Sequence, residues 1–356
     1  MPLVFQRADP HAIRDDVVDF FWKHRRWPGE TREDYYAIWD WRYTSLSEGP
    51  AVAYVARLET TGEIVGHVAA YRRNFRFGDT ELKICVPGNL FVHPDWQQRI
   101  VGVRMVMFLR SLVQTGEFDA VLGFGNKTAN GMLERLRFAQ FGTMHTYVEI
   151  RDSGPVLRRR HGALAPLAPV VNLGFAGRRL RSRLRSGTGA QLRVRRLTSD
   201  QFMTLDRSHW AAPKRLVAWE SNPFIVQRYL KEPGVERHLY GLFDQQSDLL
   251  QAFVITEPTG RIKVWDCQTN ADATDPLAAI SAVADTVKGA ETVLVPTMPQ
   301  SRLAEDFVAQ GYLDRESVDF VESQTYLSAY WLDDNPHAAV FRDASLWNIW
   351  LGSRHY

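Results

Sequence analysis

The chain has 356 residues, a formal net charge of +2, 45% hydrophobic and 12% aromatic residues. That length and composition describe a folded protein with room for two domains, and exclude a disordered chain. Two cysteines, Cys85 and Cys267, fall in separate predicted strands and are too few for a four-ligand zinc site. They read as buried thiols in a reduced, cytoplasmic setting. No run of 18 apolar residues occurs, and the N-terminus lacks a charged-then-apolar pattern, so neither a spanning helix nor a leader is expected.

In chain order, 3–7 reads as a strand, and 11–25 and 31–43 read as helices. In the first helix Val17, Phe20 and Phe21 oppose Asp16, Asp19 and Lys23. The second carries Tyr35, Tyr36, Trp39, Trp41 and Tyr43, a cluster suited to core packing or to stacking on a sugar or acyl chain. Segments 52–58 and 64–71 alternate as strands about a turn at 59–63. A strand over 81–92 follows. Pro87-Gly88 within it is odd for a central strand, because proline cannot donate to a ladder, and a β-bulge resolves this. The strand ends at His93-Pro94, a polar loop runs over 95–99, and a helix starts at Ile100-Val101-Gly102. A strand at 120–126 and a helix at 128–138 close this unit. Segment 144–151 reads as the strand that completes a first domain.

A strand that stops at a loop and restarts as a helix leaves backbone N–H groups unpaired at the helix start. Those donors and the helix dipole favour an anion. Gly102 lets the backbone approach a ligand, and Arg99 and Arg104 add positive charge. The stretch reads either as a site for a phosphate-bearing ligand or as an ordinary β–α connection.

Between 151 and 196 there are twelve arginines and one acid, Asp152, so the rest of the chain is net acidic. Leu180 and Leu184 lie four apart among those arginines. Three readings stand: a basic amphipathic helix at an anionic membrane surface, a holder of an acidic polymer or nucleotide phosphate, or a solvated linker. From Leu192 a second domain begins. It reads as a strand, helices at 200–210 and 223–231, and a hairpin of 238–243 with 249–256. A strand at 261–267, a helix at 276–287, a strand at 292–296 and a helix at 301–310 follow. This order echoes the first half as a diverged internal duplication. Between the strand and helix equivalent to the phosphate loop, 269–275 has two acids, no basic residue and no glycine, so pyrophosphate would be repelled. In the tail, Trp347 and Trp350 stand at helical spacing and read as a packing or docking segment.

The unit over 81–138 resembles the GNAT superfamily of acyl-CoA-dependent N-acyltransferases. That family has a strand ending L-x-V-x-P, then Gln/Arg-x-x-Gly-x-Gly/Ala opening a helix. Here stand Leu90-Phe91-Val92-His93-Pro94 and Gln97-Gln98-Arg99-Ile100-Val101-Gly102. The second motif, a strand ending in Asn and a helix closing in Phe, corresponds to Asn126, Ala129, Leu133 and Phe138. Ile100 replaces the loop's first glycine, and Leu133 stands where many members carry a tyrosine that protonates the leaving thiolate.

The resemblance implies an α/β (α+β) fold of two GNAT-like domains, each a mixed, mostly antiparallel sheet flanked by helices. The expected division is an acyl-CoA-binding domain over 1–152, a basic linker over 153–191 and a degenerate copy over 192–356. Acetyl-CoA or another acyl-CoA would lie on Leu90, Phe91, Val92, Gln97, Gln98, Arg99, Ile100, Val101, Gly102, Val103, Arg104 and Asn126. The bulge would splay the strand and free backbone groups for the pantetheine arm. Catalytic candidates are Asn89 through a water, Asn126, His145 and Glu149, with Glu81 a further base; His145 and Glu149 are placed on the strand expected beside the site. No metal motif competes. Expected partners are a small-molecule or sugar acceptor rather than nucleic acid, a membrane surface through the linker, and a second copy of the chain. The acceptor, an aminosugar of a surface polysaccharide as first guess, is expected between the two copies near Asn126, and the first domain alone is expected to bind acyl-CoA. Two rival readings stand: a tandem aminoacyltransferase of the peptidoglycan-bridge type, and a non-catalytic acyl-CoA-binding or scaffold protein.

Overall fold

The computed structural model describes residues 2–350 apart from 46–47, 50, 98–99, 161, 187–191, 259, 272–273 and 317–324. Its strands are β1 (Leu3–Ala8), β2 (Val52–Leu58), β3 (Ile64–Phe77), β4 (Thr80–Val92), β5 (Ala120–Gly125), β6 (Ala139–Thr143), β7 (His145–Ile150) and β8 (Leu192–Leu197). They continue as β9 (Leu216–Ala218), β10 (His238–Asp244), β11 (Leu250–Pro258), β12 (Ile262–Thr269), β13 (Thr292–Thr297), β14 (Leu313–Glu316), β15 (Tyr326–Tyr330) and β16 (Trp347–Asn348).

These strands form two sheets of one plan. The first has the order β1-β2-β3-β4-β5-β15-β6, with β9 pairing to β3 and β16 to β9. The second, read from its other edge, is β8-β10-β11-β12-β13-β7-β14. The internal echo seen in the sequence is thus a repeat of topology. The sixth place in each sheet, however, is filled by the other half of the chain. β15 lies between β5 and β6, and β7 lies between β13 and β14. The expectation that 144–151 completes the first sheet is therefore corrected. Its alternating pattern specifies a strand but not which sheet receives it.

Helices Arg14–Lys23 and Arg32–Trp39 cover one face of the first sheet, where Phe21, Trp39, Val55, Ala69 and Tyr71 share one core. Thr31 and Asp34 form a reciprocal cap that starts the second of these helices. Helix Val101–Gln114 covers the other face, with Val101, Met105 and Leu109 against Ala56, Val68 and Ala70. Each large apolar side chain fully buried this way contributes about 1.5–3 kcal/mol. Both halves also carry a π-helical turn, Asp40–Thr44 and Val226–Leu230, each with a buried Arg-Tyr pair: Arg42-Tyr43 and Arg228-Tyr229. The two turns meet. Trp41 Nε1 donates to the Gln227 carbonyl at 2.8 Å, and the Arg228 guanidinium lies 4.8 Å from the Trp41 ring centre. A fully buried ion pair between Arg73 of β3 and Glu220 also joins the halves.

The segment read as a basic linker holds helices Ser153–Arg160 and Ala168–Ser186, with a 3-10 turn at Gly162–Leu167 between them. Three further expectations change. The helix expected over 200–210 is only Ser199–Met203. Trp347 lies in β16 and Trp350 bridges to Thr297, so the tail is extended there rather than helical. β6, β9, β14, β15 and β16 were not anticipated. Among the described residues, no helix is long and apolar enough to cross a membrane.

Candidate active site

The expected bulge is present. His67 pairs with Phe91, but Ala69 pairs with Gly88, so β4 has one residue more than β3 over that interval. Asn89 takes the strain with φ of 55°, a left-handed conformation that asparagine tolerates better than most residues. Its side chain is a hub. Trp27 Nε1 and Arg42 Nη1 each donate to Oδ1 at 3.1 Å, and Nδ2 donates to the Tyr43 hydroxyl at 2.6 Å. The Asn89 carbonyl lies 3.1 Å from His67 Nδ1. Burial lowers the His67 pKa to about 4, so the ring is neutral at pH 7. A carbonyl only accepts, so the proton sits on Nδ1. Burial also lowers Arg42 to about 10.

Beyond Cys85, ahead of the bulge, β4 leaves its neighbour. β4 and β5 pair in parallel only at Ile84–Ala120 and Cys85–Val121. From Val121 to Gly125, β5 instead pairs on its other side with β15. The flank of Leu90, Phe91 and Val92 toward β5 thus faces an opening, with one carbonyl, that of Val92, accepting from Gln97 Nε2 at 3.2 Å.

Helix Val101–Gln114 starts at the mouth of this opening. Gly66 allows it to sit there, because a Cβ on Gly66 would fall 2.6 Å from Val101 Cγ1. Gly102 differs: a Cβ there would meet nothing nearer than Met132 Sδ at 3.6 Å. The fold itself does not demand glycine at 102. Ile100 is 59% exposed and supplies no side-chain cap to the helix start.

The remaining candidates fall as follows. Val103 is half-buried on the first turn, and Arg104 is exposed with its guanidinium 4.7 Å from the Phe5 ring centre. Gln98 and Arg99 lie outside the described residues. Asn126 ends β5 and caps helix Lys127–Arg135, its Oδ1 accepting from Ala129 N at 2.9 Å. Leu133 is buried in the core under β5. Glu81 is exposed at the start of β4, about 30 Å along the strand from Phe91. His145 and Glu149 travel with β7 into the second sheet. There His145 Nδ1 lies 2.9 Å from Asp314, and Glu149 accepts from the Tyr312 hydroxyl at 3.2 Å. The strand beside the opening is β15, so the placement expected for these two residues is corrected. Asn89 has its side chain committed to Trp27, Arg42 and Tyr43.

A group missed in the sequence gathers on Phe91 instead. The His24 ring meets Phe91 edge-on at 5.3 Å and His93 at 4.8 Å, and Arg26 lies 4.5 Å from the Phe91 ring centre. His24 Nε2 is buried without a hydrogen-bond partner. Burial first, then the neighbouring His93, lowers the His24 pKa from its ordinary value. His24 follows a helix as an unremarkable loop residue, and only tertiary packing brings it to β4.

Residues 14–138 match the Acetyltransferase (GNAT) family. No curated protein matches the chain. Among solved structures, the chain is similar to a conserved protein of unknown function from Enterococcus faecalis V583, described as a probable N-acyltransferase. The TM-score is 0.57 at 7% identity, covering 93% of this chain and 73% of that one. It is similar to a GCN5-related N-acetyltransferase from Kribbella flavida, with TM-score 0.53 at 15% identity, over 93% and 71% of the two chains. It is also similar to Eis1 from Mycobacterium abscessus, with TM-score 0.52 at 14% identity, over 92% and 73%. At such identities the likeness is one of fold.

Proposed function

We propose that this chain, whose residues 14–138 match the Acetyltransferase (GNAT) family, moves an acetyl or other acyl group from acyl-CoA to the amine of a small acceptor. The observation that carries this reading is the divergence of β4 from β5 beyond Cys85, beside the uncapped start of helix Val101–Gln114. The open flank of Leu90, Phe91 and Val92 offers backbone groups to a pantetheine arm, and the helix start offers its dipole to the pyrophosphate.

In the reaction, the amine nitrogen bonds to the thioester carbon as the C–S bond breaks. A backbone N–H at Phe91 or Val92 donates to the oxyanion. His24, neutral and with a free ring nitrogen beside Phe91, takes the amine proton. With Leu133 buried at the thiolate side, the departing CoA takes its proton from solvent. The acceptor lies over the opening near Asn126, toward the aromatic face of helix Arg32–Trp39, and an aminosugar heads the candidates. A reducing, cytoplasmic setting fits Cys85 and Cys267, both buried and free. Contact with an anionic membrane is assigned to helix Ala168–Ser186, where Val170 and Leu173 are 71% and 74% exposed.

Calorimetry with acetyl-CoA is expected to give one site per chain. Gly102→Glu puts bulk and negative charge at the anion site and is expected to abolish binding; unchanged affinity would remove this reading. Release of free CoA thiol, followed with a panel of aminosugars and other amines, then identifies the acceptor.

A further inference from the structure

The second sheet has an opening of its own. β12 and β13 pair in parallel only at Ile262–Val293 and Lys263–Leu294, and β12 carries a bulge before Asp266. A cavity of about 440 Å³ lies against the end of β12 and the start of helix Pro276–Thr286, the elements equivalent to β4 and helix Val101–Gln114 of the first half. Its floor is the end of β12, and its sides are the start of helix Pro276–Thr286 and the outer end of helix Arg302–Ala309. Its roof is the strap over 213–219, which also belongs to the first half: Gly78 N donates to the Pro213 carbonyl and Trp219 N to the Asn74 carbonyl, each at 2.7 Å.

This cavity is not built for a pyrophosphate. Asp275 caps the helix start, its Oδ1 accepting from Leu277 N at 2.7 Å, and Pro276 removes the first N–H. Two of its lining side chains nevertheless each leave one polar atom unpaired, although Gln268 Oε1 accepts from Arg207 Nη1 at 3.0 Å. Gln268 is 4% exposed and its Nε2 donates to nothing; Asn348 is 5% exposed and its Oδ1 accepts nothing. Buried polar groups are rarely left unpaired, so an orphan donor and an orphan acceptor on two residues of one cavity's lining suit a ligand that supplies both complements once the side chains turn toward it. The charges around it are of both signs: the Asp275 carboxylate within, and the exposed Lys214 ammonium at the rim, while Asp306 is already paired with Arg215 at 3.2 Å. Trp219 adds an apolar wall.

We propose that this cavity binds a small zwitterion, a free amino acid, with its ammonium toward Asp275 and Asn348, its carboxylate toward Gln268 and Lys214, and its side chain against Trp219. The second copy has then exchanged a nucleotide-bearing donor for a small ligand held at the junction of the halves. The site is separate from the acyl-CoA opening, and its test does not depend on transfer activity.

The test is calorimetry of the full chain with the common amino acids, with and without saturating acetyl-CoA. At least one amino acid is expected to bind at one site per chain. Asp275→Asn keeps a helix-capping oxygen, and Lys214→Ala removes only an exposed side chain; each is expected to weaken binding at least about tenfold. Circular dichroism checks that both variants keep the fold. No binding of any amino acid up to about 10 mM, a threshold far weaker than a built site should need, overturns the proposal. So does binding that survives both substitutions, or that acetyl-CoA displaces, since either places the ligand elsewhere.

Discussion

Asn89 shows how one residue fixes the geometry of the opening. Its left-handed backbone forms the bulge, and its side chain gathers Trp27, Arg42 and Tyr43 behind it. His67 completes this group and gives it a pH dependence. The unfolded histidine titrates near 6.5, whereas the folded one takes a proton only near 4. Between those values the unfolded chain binds more protons, so stability is full above pH 6.5 and falls as pH drops toward 4, by up to about 3 kcal/mol. Urea denaturation at pH 7 and pH 4.5 should therefore differ more in the wild type than in His67→Gln; equal losses would assign the acid sensitivity elsewhere. His24 makes a separate prediction. As the proton acceptor, its replacement in His24→Gln is expected to lower kcat by about 10²- to 10⁴-fold and remove the acidic limb of the pH–rate profile. The KM for acetyl-CoA should not move. A variant that merely raises that KM would make His24 a packing residue on Phe91.

The two π-helical turns are the elements that join the halves. Trp41 is anchored by one indole hydrogen bond to Gln227 and lies beneath Arg228. Trp41→Phe keeps a ring for the cation but loses the bond and is expected to cost about 1 kcal/mol. Trp41→Ala opens a cavity as well and is expected to cost about 3–5 kcal/mol. Chemical denaturation measures both, and equal costs would mean that the packing carries nothing. At this scale the sequence was uneven to read. The β4 bulge was signalled by Pro87-Gly88, although Pro87 itself stays in register opposite Ala70 and the extra residue falls just after it, at Asn89-Leu90; the helix start was legible because Gly102 follows a strand and a polar loop. The repeat was legible in the matching order of elements. The pairing of Arg42-Tyr43 with Arg228-Tyr229 was not, since π-turns have no periodicity of their own. Nor was the course of β7, because alternation fixes which face of a strand is buried and leaves its partner open. The His24 cluster depends wholly on contacts between residues distant in sequence.

At the scale of the whole molecule, the exchange of β7 and β15 makes the halves inseparable. The expectation that the first domain alone binds acyl-CoA does not survive this topology. A chain ending at residue 191 would lack β15, leaving β5 with only the short parallel contact to β4 and β6 with no neighbour in its sheet. Such a truncation is expected to be insoluble or to lose acetyl-CoA binding; a soluble fragment binding as tightly as the full chain would contradict this. Synthesis meets the same problem in time. β6 ends at Thr143, and about 180 residues must follow before β15 emerges, a delay of roughly 10–40 s at ordinary rates of translation. Throughout that interval a nascent chain presents a vacant slot with two unpaired edges. Neighbouring ribosomes on one message would carry chains at different stages, and a finished chain's β15 segment matches that slot as well as the chain's own. Crowded expression is therefore expected to yield reciprocally strand-swapped dimers, separable by gel filtration and slow to revert, while dilute refolding yields monomers from the same sequence.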